Sequence, residues 1–232
     1  MPNDVTCHHF HDDKNCLCQV PIFNHLDTSE LQKIINLVDS KSYKKNDFLY
    51  QPGDYTTALY VIRCGQVKIY RLSESSKEQV IRILKPGDFI GESSIFTNSV
   101  HESYAEILED TDICIIEKDK LDDLMKKYPS IALKFLEEFS KRIEKTERQT
   151  TLIGSNSIDL RLAAYLINLY DRKHPKTPIK LTMTKKDLAS YLGTTPETIS
   201  RKLGKFEDSG YIRQISNKEI LILDSEALEL ME

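Results

Sequence analysis

Residues 181–206 read LTMTKKDLASYLGTTPETISRKLGKF, and few stretches leave a chain so little conformational freedom. Thr184-Lys185-Lys186-Asp187 has the form of a capping box, with Asp where Glu is commoner, and starts a helix that runs through Tyr191 and Leu192. Gly193 supplies a tight turn. Thr195 is placed to cap a second helix, and Pro196 fits its first position, where no backbone N–H is needed. Two short helices joined by a glycine turn form a helix-turn-helix. Leu188, Ala189, Leu192, Ile199 and Leu203 make the inner face, so Glu197, Ser200 and Arg201 point outward from the first half of the second helix. A solvated helix face would also carry such residues. The pattern has a more specific use, because this half of a recognition helix reaches base edges in the major groove. Arg can take both acceptors of a guanine, Glu can accept from the amino group of cytosine, and Ser can do either. Lys202 and Lys205 are expected nearer the phosphates, and Thr195, Thr198 and Lys185 complete the candidate DNA-binding set. Residues 212–215 and 219–223, on either side of Ser216-Asn217-Lys218, read as a small hairpin, the wing of a winged helix-turn-helix.

Upstream the texture differs. Phe48-Leu49-Tyr50, residues 59–63, 67–72 and 80–84, and Ile113 to Ile116 are short apolar runs, broken by Gln51-Pro52-Gly53-Asp54, Gly65 and Lys85-Pro86-Gly87-Asp88. Short runs rich in β-branched residues and punctuated by Pro-Gly turns predict an antiparallel sandwich or barrel. From Ser130 to Ile153 there is neither glycine nor proline. Leu136, Phe139, Ile143, Thr146, Thr150 and Ile153 there alternate spacings of three and four on an otherwise charged helix, the pattern of a seam between two helices. Gly154-Ser155-Asn156-Ser157 reads as a hinge, followed by a helix from Ile158 to Arg172. The expectation is an α+β chain: a Cys/His-rich arm (1–20), an antiparallel β-roll (21–125), a dimerisation helix (126–154) and a DNA-binding domain (155–232).

The formal net charge of −4 argues against a polyanion partner only on average. Between residues 176 and 205, Lys176, Lys180, Lys185, Lys186, Arg201, Lys202 and Lys205 face only Asp187 and Glu197, which suits double-stranded DNA. A 40% hydrophobic and 29% charged composition fits a soluble globular protein. No apolar run approaches the ~20 residues that span a bilayer. The first residues, MPNDVTCHHFHDDKNC, lack the form of a secretory signal, so a cytoplasmic location and no membrane partner are expected. No nucleophile elbow, phosphate loop, zincin or dinucleotide motif is present, and no enzyme activity is expected. Asp122-Asp123 and Glu137-Glu138 read as solvated helix faces. A metal-binding or redox-carrier protein is the rival class, but it leaves the helix-turn-helix without a purpose.

The order roll, long helix, winged helix-turn-helix resembles the CRP/FNR superfamily of bacterial transcription regulators over essentially the whole chain. The resemblance is strongest at LTMTKKDLASYLGTTPETISRKLGKFEDSGYI and clear at LKPGDFIGE. It implies a jelly roll of the cyclic-nucleotide-binding type and a homodimer on a palindrome, with RNA polymerase as a further partner if the protein activates. ETISR is similar to the FNR branch, whose matching Glu, Ser and Arg read TTGAT-type half-sites; those roles fall on Glu197, Ser200 and Arg201. The branch often has Val where this chain has Pro196. Cyclic-nucleotide members hold the ligand with a Gly-Glu pair and a later Arg-Ser pair. Here Gly91-Glu92 is kept, but the second pair reads Glu102-Ser103, so Gly91, Glu92 and Ser103 are a pocket remnant and cyclic AMP is not expected. Arg71 or Arg82 is the substitute cation such a pocket would need.

The chain has five cysteines, and an odd count in a cytosolic protein is no disulfide framework. Cys7, Cys16 and Cys18 cluster beside His8, His9 and His11; Cys64 and Cys114 fall in the roll. The FNR branch is similar in having an N-terminal cysteine cluster and a distant one in the barrel, matched by Cys114, and those four hold an iron–sulfur cluster. The arm spacing here is not the FNR pattern. Zinc bound by Cys and His is a second possibility. FNR-like proteins of Gram-positive bacteria are the nearer resemblance, and they imply a thiol switch without metal that pairs Cys7, or else Cys16, with Cys114. Cys64 is expected to be an inert buried thiol. A regulator of the same fold that needs no effector, or that senses a small molecule, stays open.

Overall fold

The computed structural model describes residues 20–74, 76–97, 99–155 and 157–231, excepting the side chains at 145 and 148–155. The described chain divides into two compact units, one of residues 20–72 and 81–142, the other of 73–80 and 143–231.

The first unit opens with α1 (Thr28–Ile35), which has a full capping box: Asp27 accepts from the Glu30 N–H and Glu30 from the Asp27 N–H. The strands that follow are β1 (Asp39–Tyr43), β2 (Phe48–Tyr50), β3 (Ala58–Cys64), β4 (Val67–Leu72), β5 (Glu78–Leu84), β6 (Phe89–Ile90), β7 (Tyr104–Ile107) and β8 (Thr111–Glu117). The short helix α2 (Glu92–Thr97) sits between β6 and β7, and α3 (Lys118–Lys127) follows β8. They form two four-stranded sheets, ordered β1-β8-β3-β6 and β2-β7-β4-β5. The central strand β3 runs antiparallel to both β8 and β6.

The apolar runs at β3 and β8 are continuous because both faces of this sheet are covered. Leu59, Val61, Cys114 and Ile116 pack on one side with Phe89 of β6 and with Ile95, Leu121, Leu124, Ile131 and Phe135 from the helices. Tyr60, Ile62 and Ile113 pack on the other side with Tyr50, Ile69, Leu84, Ala105 and Ile107 from the second sheet. Alternate residues of one strand therefore enter two cores. The two Pro-Gly-Asp turns are built alike. Gly53 and Gly87 both have φ +91°, and the Asp54 and Asp88 carboxylates accept from the Gln51 and Lys85 N–H groups at 2.8 Å.

The long helix α4 (Pro129–Ser155) has 27 residues and passes through Gly154, so that glycine does not end it. Leu133, Leu136 and Ile143 are 67%, 62% and 60% exposed, and Thr146 is exposed as well. Phe139 departs from the expected seam. It is half-buried, with its ring centroid 5.8 Å from that of Phe135 and 6.0 Å from that of Phe96, and so belongs to the roll's own aromatic cluster. The helix period places Leu133 in the line that Phe139 leaves. The side chains of Thr150 and Ile153 lie outside the described residues.

In the second unit Ser157 caps α5 (Ile158–Leu169). That helix ends earlier than expected because Tyr170 is extended. Then come β9 (Ile179–Lys180), α6 (Lys185–Leu192), α7 (Pro196–Asp208), β10 (Ile212–Gln214), β11 (Glu219–Ile222) and α8 (Ser225–Glu229). The three strands form one sheet, ordered β10-β11-β9. The expected wing hairpin is β10–β11, and β9 supplies its third strand.

Candidate nucleic-acid interface

Local chemistry fixes the two helices. The Thr184 hydroxyl accepts from the Asp187 N–H at 3.1 Å and donates to the Asp187 carboxylate at 2.6 Å. The box closes through the hydroxyl, which suits the shorter Asp side chain. Gly193 ends α6 in the left-handed region at φ +68°, which glycine adopts without strain. Thr195 caps α7 by accepting from the Thr198 N–H at 3.3 Å, with Pro196 in the first turn. Ile199, Leu203 and Phe206 bury one face of α7.

The opposite face carries Glu197, Ser200 and Arg201, all exposed. Thr195 is exposed and Thr198 half-exposed beside them. Arg201 has no hydrogen-bond or ion-pair partner among the described residues, so its five donors are open to a ligand. The Glu197 carboxyl is held below the usual range by its own backbone N–H at the helix start and by the Thr195 side chain. It is therefore an acceptor at neutral pH. An ionised acceptor and a free guanidinium, one turn apart on an exposed helix start, can each meet a base edge of opposite hydrogen-bonding character.

The lysines differ from one another. Lys205 is 66% exposed at its side chain. Lys202 is not: it donates to Asp159 on α5 at 2.6 Å, and its side chain is 22% exposed. Lys185 reaches the Gln214 side-chain carbonyl at 3.3 Å. Gln214 on the wing is in turn gripped by Glu207 of α7, through its backbone N–H at 2.8 Å and its side-chain amide at 2.9 Å. Asp159, Glu207 and Gln214 were not singled out from the sequence. Their roles depend on tertiary proximity, and no local spacing signals them.

The roll corner is closed on itself. Gly91 has φ +106°, and a Cβ there would lie 2.2 Å from the Ala58 carbonyl oxygen, so the backbone requires glycine. Glu92 accepts from Arg142 of α4 and from Arg82 at 3.3 Å. Arg142 also donates to the Phe89 carbonyl at 2.9 Å and lies over the Phe89 ring at 4.2 Å. Arg71 pairs with Glu102 at the surface. Both candidate substitute cations are thus already engaged by carboxylates. Ser103 hydrogen-bonds Tyr50, whose hydroxyl burial pushes up to about 12. Tyr50 stacks on the buried His101 at 3.6 Å, and the His101 ring bonds to Thr56 and Ser94.

The cysteines overturn one expectation. Cys64 is disulfide-bonded and is not an inert thiol. Cys114 is 2% exposed, packed in the core with Ser40 Oγ 4.0 Å away. Cys7, Cys16 and Cys18 lie outside the described residues. Among the described residues no three His, Cys, Asp or Glu side chains group as metal ligands.

A roll of two four-stranded sheets, a long helix and a winged helix-turn-helix with an exposed acceptor-and-guanidinium face define a DNA-binding transcription regulator. The chain matches the cyclic nucleotide-binding domain family over residues 40–128 and the Crp-like helix-turn-helix domain family over residues 160–231. It is 35% identical over 224 residues to the anaerobic regulatory protein of Aggregatibacter actinomycetemcomitans, covering 94% of this chain and 86% of that one. It is 32% identical over 215 residues to the transcriptional regulator flp of Lacticaseibacillus casei, covering 93% and 97%. Its fold is shared with a transcriptional regulator of the CRP/FNR family from Thermus thermophilus at a TM-score of 0.65 and 22% identity, covering 82% of this chain and 96% of that one. The chain belongs to the CRP/FNR family of transcription regulators. No helix among the described residues is long and apolar enough to cross a membrane.

Proposed function

We propose that the protein is a homodimer that reads a palindrome of TTGAT-type half-sites, and that thiol oxidation sets its activity. The exposed Glu197, Ser200 and Arg201 face, on which Arg201 has no partner among the described residues, carries this reading. Leu133, Leu136 and Ile143 supply an apolar line on α4 for a second copy, and Thr150 and Ile153 would extend it. Two chains related by a two-fold axis present two recognition helices about one turn of duplex apart, ~34 Å. Direct readout falls to Glu197, Ser200 and Arg201. Lys205, Lys185, Thr195 and Thr198 meet the backbone. RNA polymerase is the further partner of an activating regulator, and the cytoplasm is the compartment in which this chemistry operates.

The disulfide at Cys64 supports a thiol switch, with the arm cysteines Cys7, Cys16 and Cys18 as partners and Cys114 as the alternative roll thiol. Two thiols become a disulfide by losing two protons and two electrons to a peroxide, which is reduced to water. The bond would tie the arm to the roll and shift the population of dimer arrangements that fit the duplex.

The test is anaerobic purification followed by thiol counting, iron analysis and fluorescence anisotropy on the palindrome, before and after peroxide. The expected result is a colourless dimer that loses two thiols and changes affinity. A brown, iron-bearing protein overturns the disulfide. A monomer, or equal affinity for palindrome and random duplex, overturns the DNA-reading arrangement.

A further inference from the structure

Sequence-specific reading requires the exposed face of α7 to be held at a fixed angle, and one turn of α5 does the holding. Lys202 Nζ donates to Asp159 Oδ2 at 2.6 Å, with side chains only 22% and 25% exposed. Lys205 lies 3.8 Å from the same oxygen. Two residues along α5, Arg161 Nη1 donates at 2.8 Å to the carbonyl of Leu192, the last residue of α6. Gly193 adjoins this contact, and a Cβ there would lie 3.5 Å from Arg161 Nη1. The first turn of α5, capped by Ser157, therefore grips both helices of the helix-turn-helix: α6 by its terminal carbonyl and α7 by a side chain.

Lys202 and Arg201 are neighbours in sequence but lie about 100° apart around the helix. Arg201 stands on the reading face, while Lys202 turns to the flank that packs on α5. Asp159 lies in the first turn of α5, where the helix dipole favours a carboxylate. Its other oxygen, Oδ1, is buried without a hydrogen-bond partner among the described residues. A half-satisfied carboxylate is a poor way to gain stability, so the geometry of the pair matters more than its net energy.

We infer that Asp159 and Lys202 are a positioning pair that sets the orientation of the recognition helix, and that Lys202 contributes to DNA reading through Asp159 and not at a phosphate. The pair makes α5 and α7 move together, so whatever rotates the first turn of α5 re-aims Arg201. The inference rests on α7 being the reading helix.

The experiment uses the full chain, with Asp159→Asn, Lys202→Met, their double variant and the charge swap Asp159→Lys with Lys202→Asp. Affinity for the palindrome and for random duplex is measured across a salt series, with Arg201→Ala as the control for readout. Each single variant is expected to weaken palindrome binding about tenfold, in the range of couplings between touching residues. Random-duplex affinity and the salt slope stay as in the parent, the double variant is no worse than either single, and the swap recovers most of the loss. Two results overturn the inference: a Lys202→Met slope reduced by ~0.9, the signature of one lost phosphate contact, or an Asp159→Asn variant that binds as well as the parent. Should Asp159→Asn fail to fold, the Lys202→Met slope decides alone. If Arg201→Ala has no effect on the palindrome, the reading helix itself is wrong, an outcome separate from failure of the pair.

Discussion

Removing Arg142 should expose how the roll corner is held. Its guanidinium makes a charged bond to Glu92, donates to the Phe89 carbonyl at 2.9 Å and covers the Phe89 ring at 4.2 Å. The Glu92 and Arg142 side chains are 16% and 26% exposed, so the pair is mostly but not fully desolvated. Taking one partner from a buried pair costs about 3–5 kcal/mol, because a charge is left behind in low dielectric. Two features lower that figure: residual exposure screens Glu92, and Arg82 remains 3.3 Å from its carboxylate. Arg142→Leu is therefore expected to cost about 2–4 kcal/mol. Glu92→Leu should cost a similar amount, since it strands two arginines around an apolar ring. The double variant, with no buried charge left at the contact, should cost less than either single change. The chain has two units and need not unfold in one step. The suitable assay is therefore native-state hydrogen exchange at the β3 and β8 amides, which reports the roll directly. A double variant that costs the sum of the two singles would show that the residues do not act on each other, and the reasoning fails.

Arg201→Ala should lose about 1–3 kcal/mol on the palindrome and little on random duplex, measured by anisotropy at fixed salt. An equal loss on both would make Arg201 a phosphate contact. Thr195→Ala removes the cap of α7 and should cost about 1 kcal/mol in urea unfolding of the DNA-binding unit, whereas Thr195→Ser should cost much less. His101 is held neutral: burial lowers its pKa from the ordinary 6.5, against the opposing pull of Asp54 and Glu92. The unfolded chain therefore binds the extra proton first, and stability rises with pH through this window. The contribution is fully present above 6.5 and is lost as pH falls through the lower folded value. Melting temperature measured downward from neutral pH should fall more steeply in the parent than in His101→Gln.

What could be read from the sequence follows from how local the determining physics is. Thr184, Gly193, Thr195 and Pro196 act on backbone groups within one turn, so the helix-turn-helix and its caps were legible. So was the outward face of α7, because helix period alone sends Glu197 and Arg201 away from Ile199 and Leu203. The strand β1 was not, since DSKSY is mostly exposed and carries no apolar alternation. Its register against β8 comes from pairing, with Ser40 opposite Cys114. The spacing places Phe139 in the seam, because a three-four spacing cannot say which of two apolar lines faces the chain's own core. No local spacing signals the ion pair of Lys202, because its partner is 43 residues away in sequence. Cys64 shows the same limit, since nothing around it in the sequence indicates a bonded sulfur.

Two buried side-chain oxygens lack a partner among the described residues, Glu92 Oε2 and Asp159 Oδ1. Each is the spare oxygen of a carboxylate whose other oxygen holds a cation on another helix: Arg142 on α4 and Lys202 on α7. An unsatisfied buried acceptor costs about 1–3 kcal/mol. A core selected for stability alone would fill both places with apolar side chains. Ionic pairs differ from apolar packing in one respect useful to a regulator: they fix direction, because a charged hydrogen bond weakens steeply when bent, whereas leucine on leucine tolerates sliding. Replacing Asp159 and Lys202 together by Leu and Met should then leave the DNA-binding unit as stable as before, or more so. Palindrome affinity should nevertheless fall towards that for random duplex, as the recognition helix loses its fixed angle. Thermal unfolding and anisotropy on the same samples separate the two quantities. A variant that gains stability and keeps its full preference for the palindrome would show that apolar packing aims the helix as well as the ion pair does.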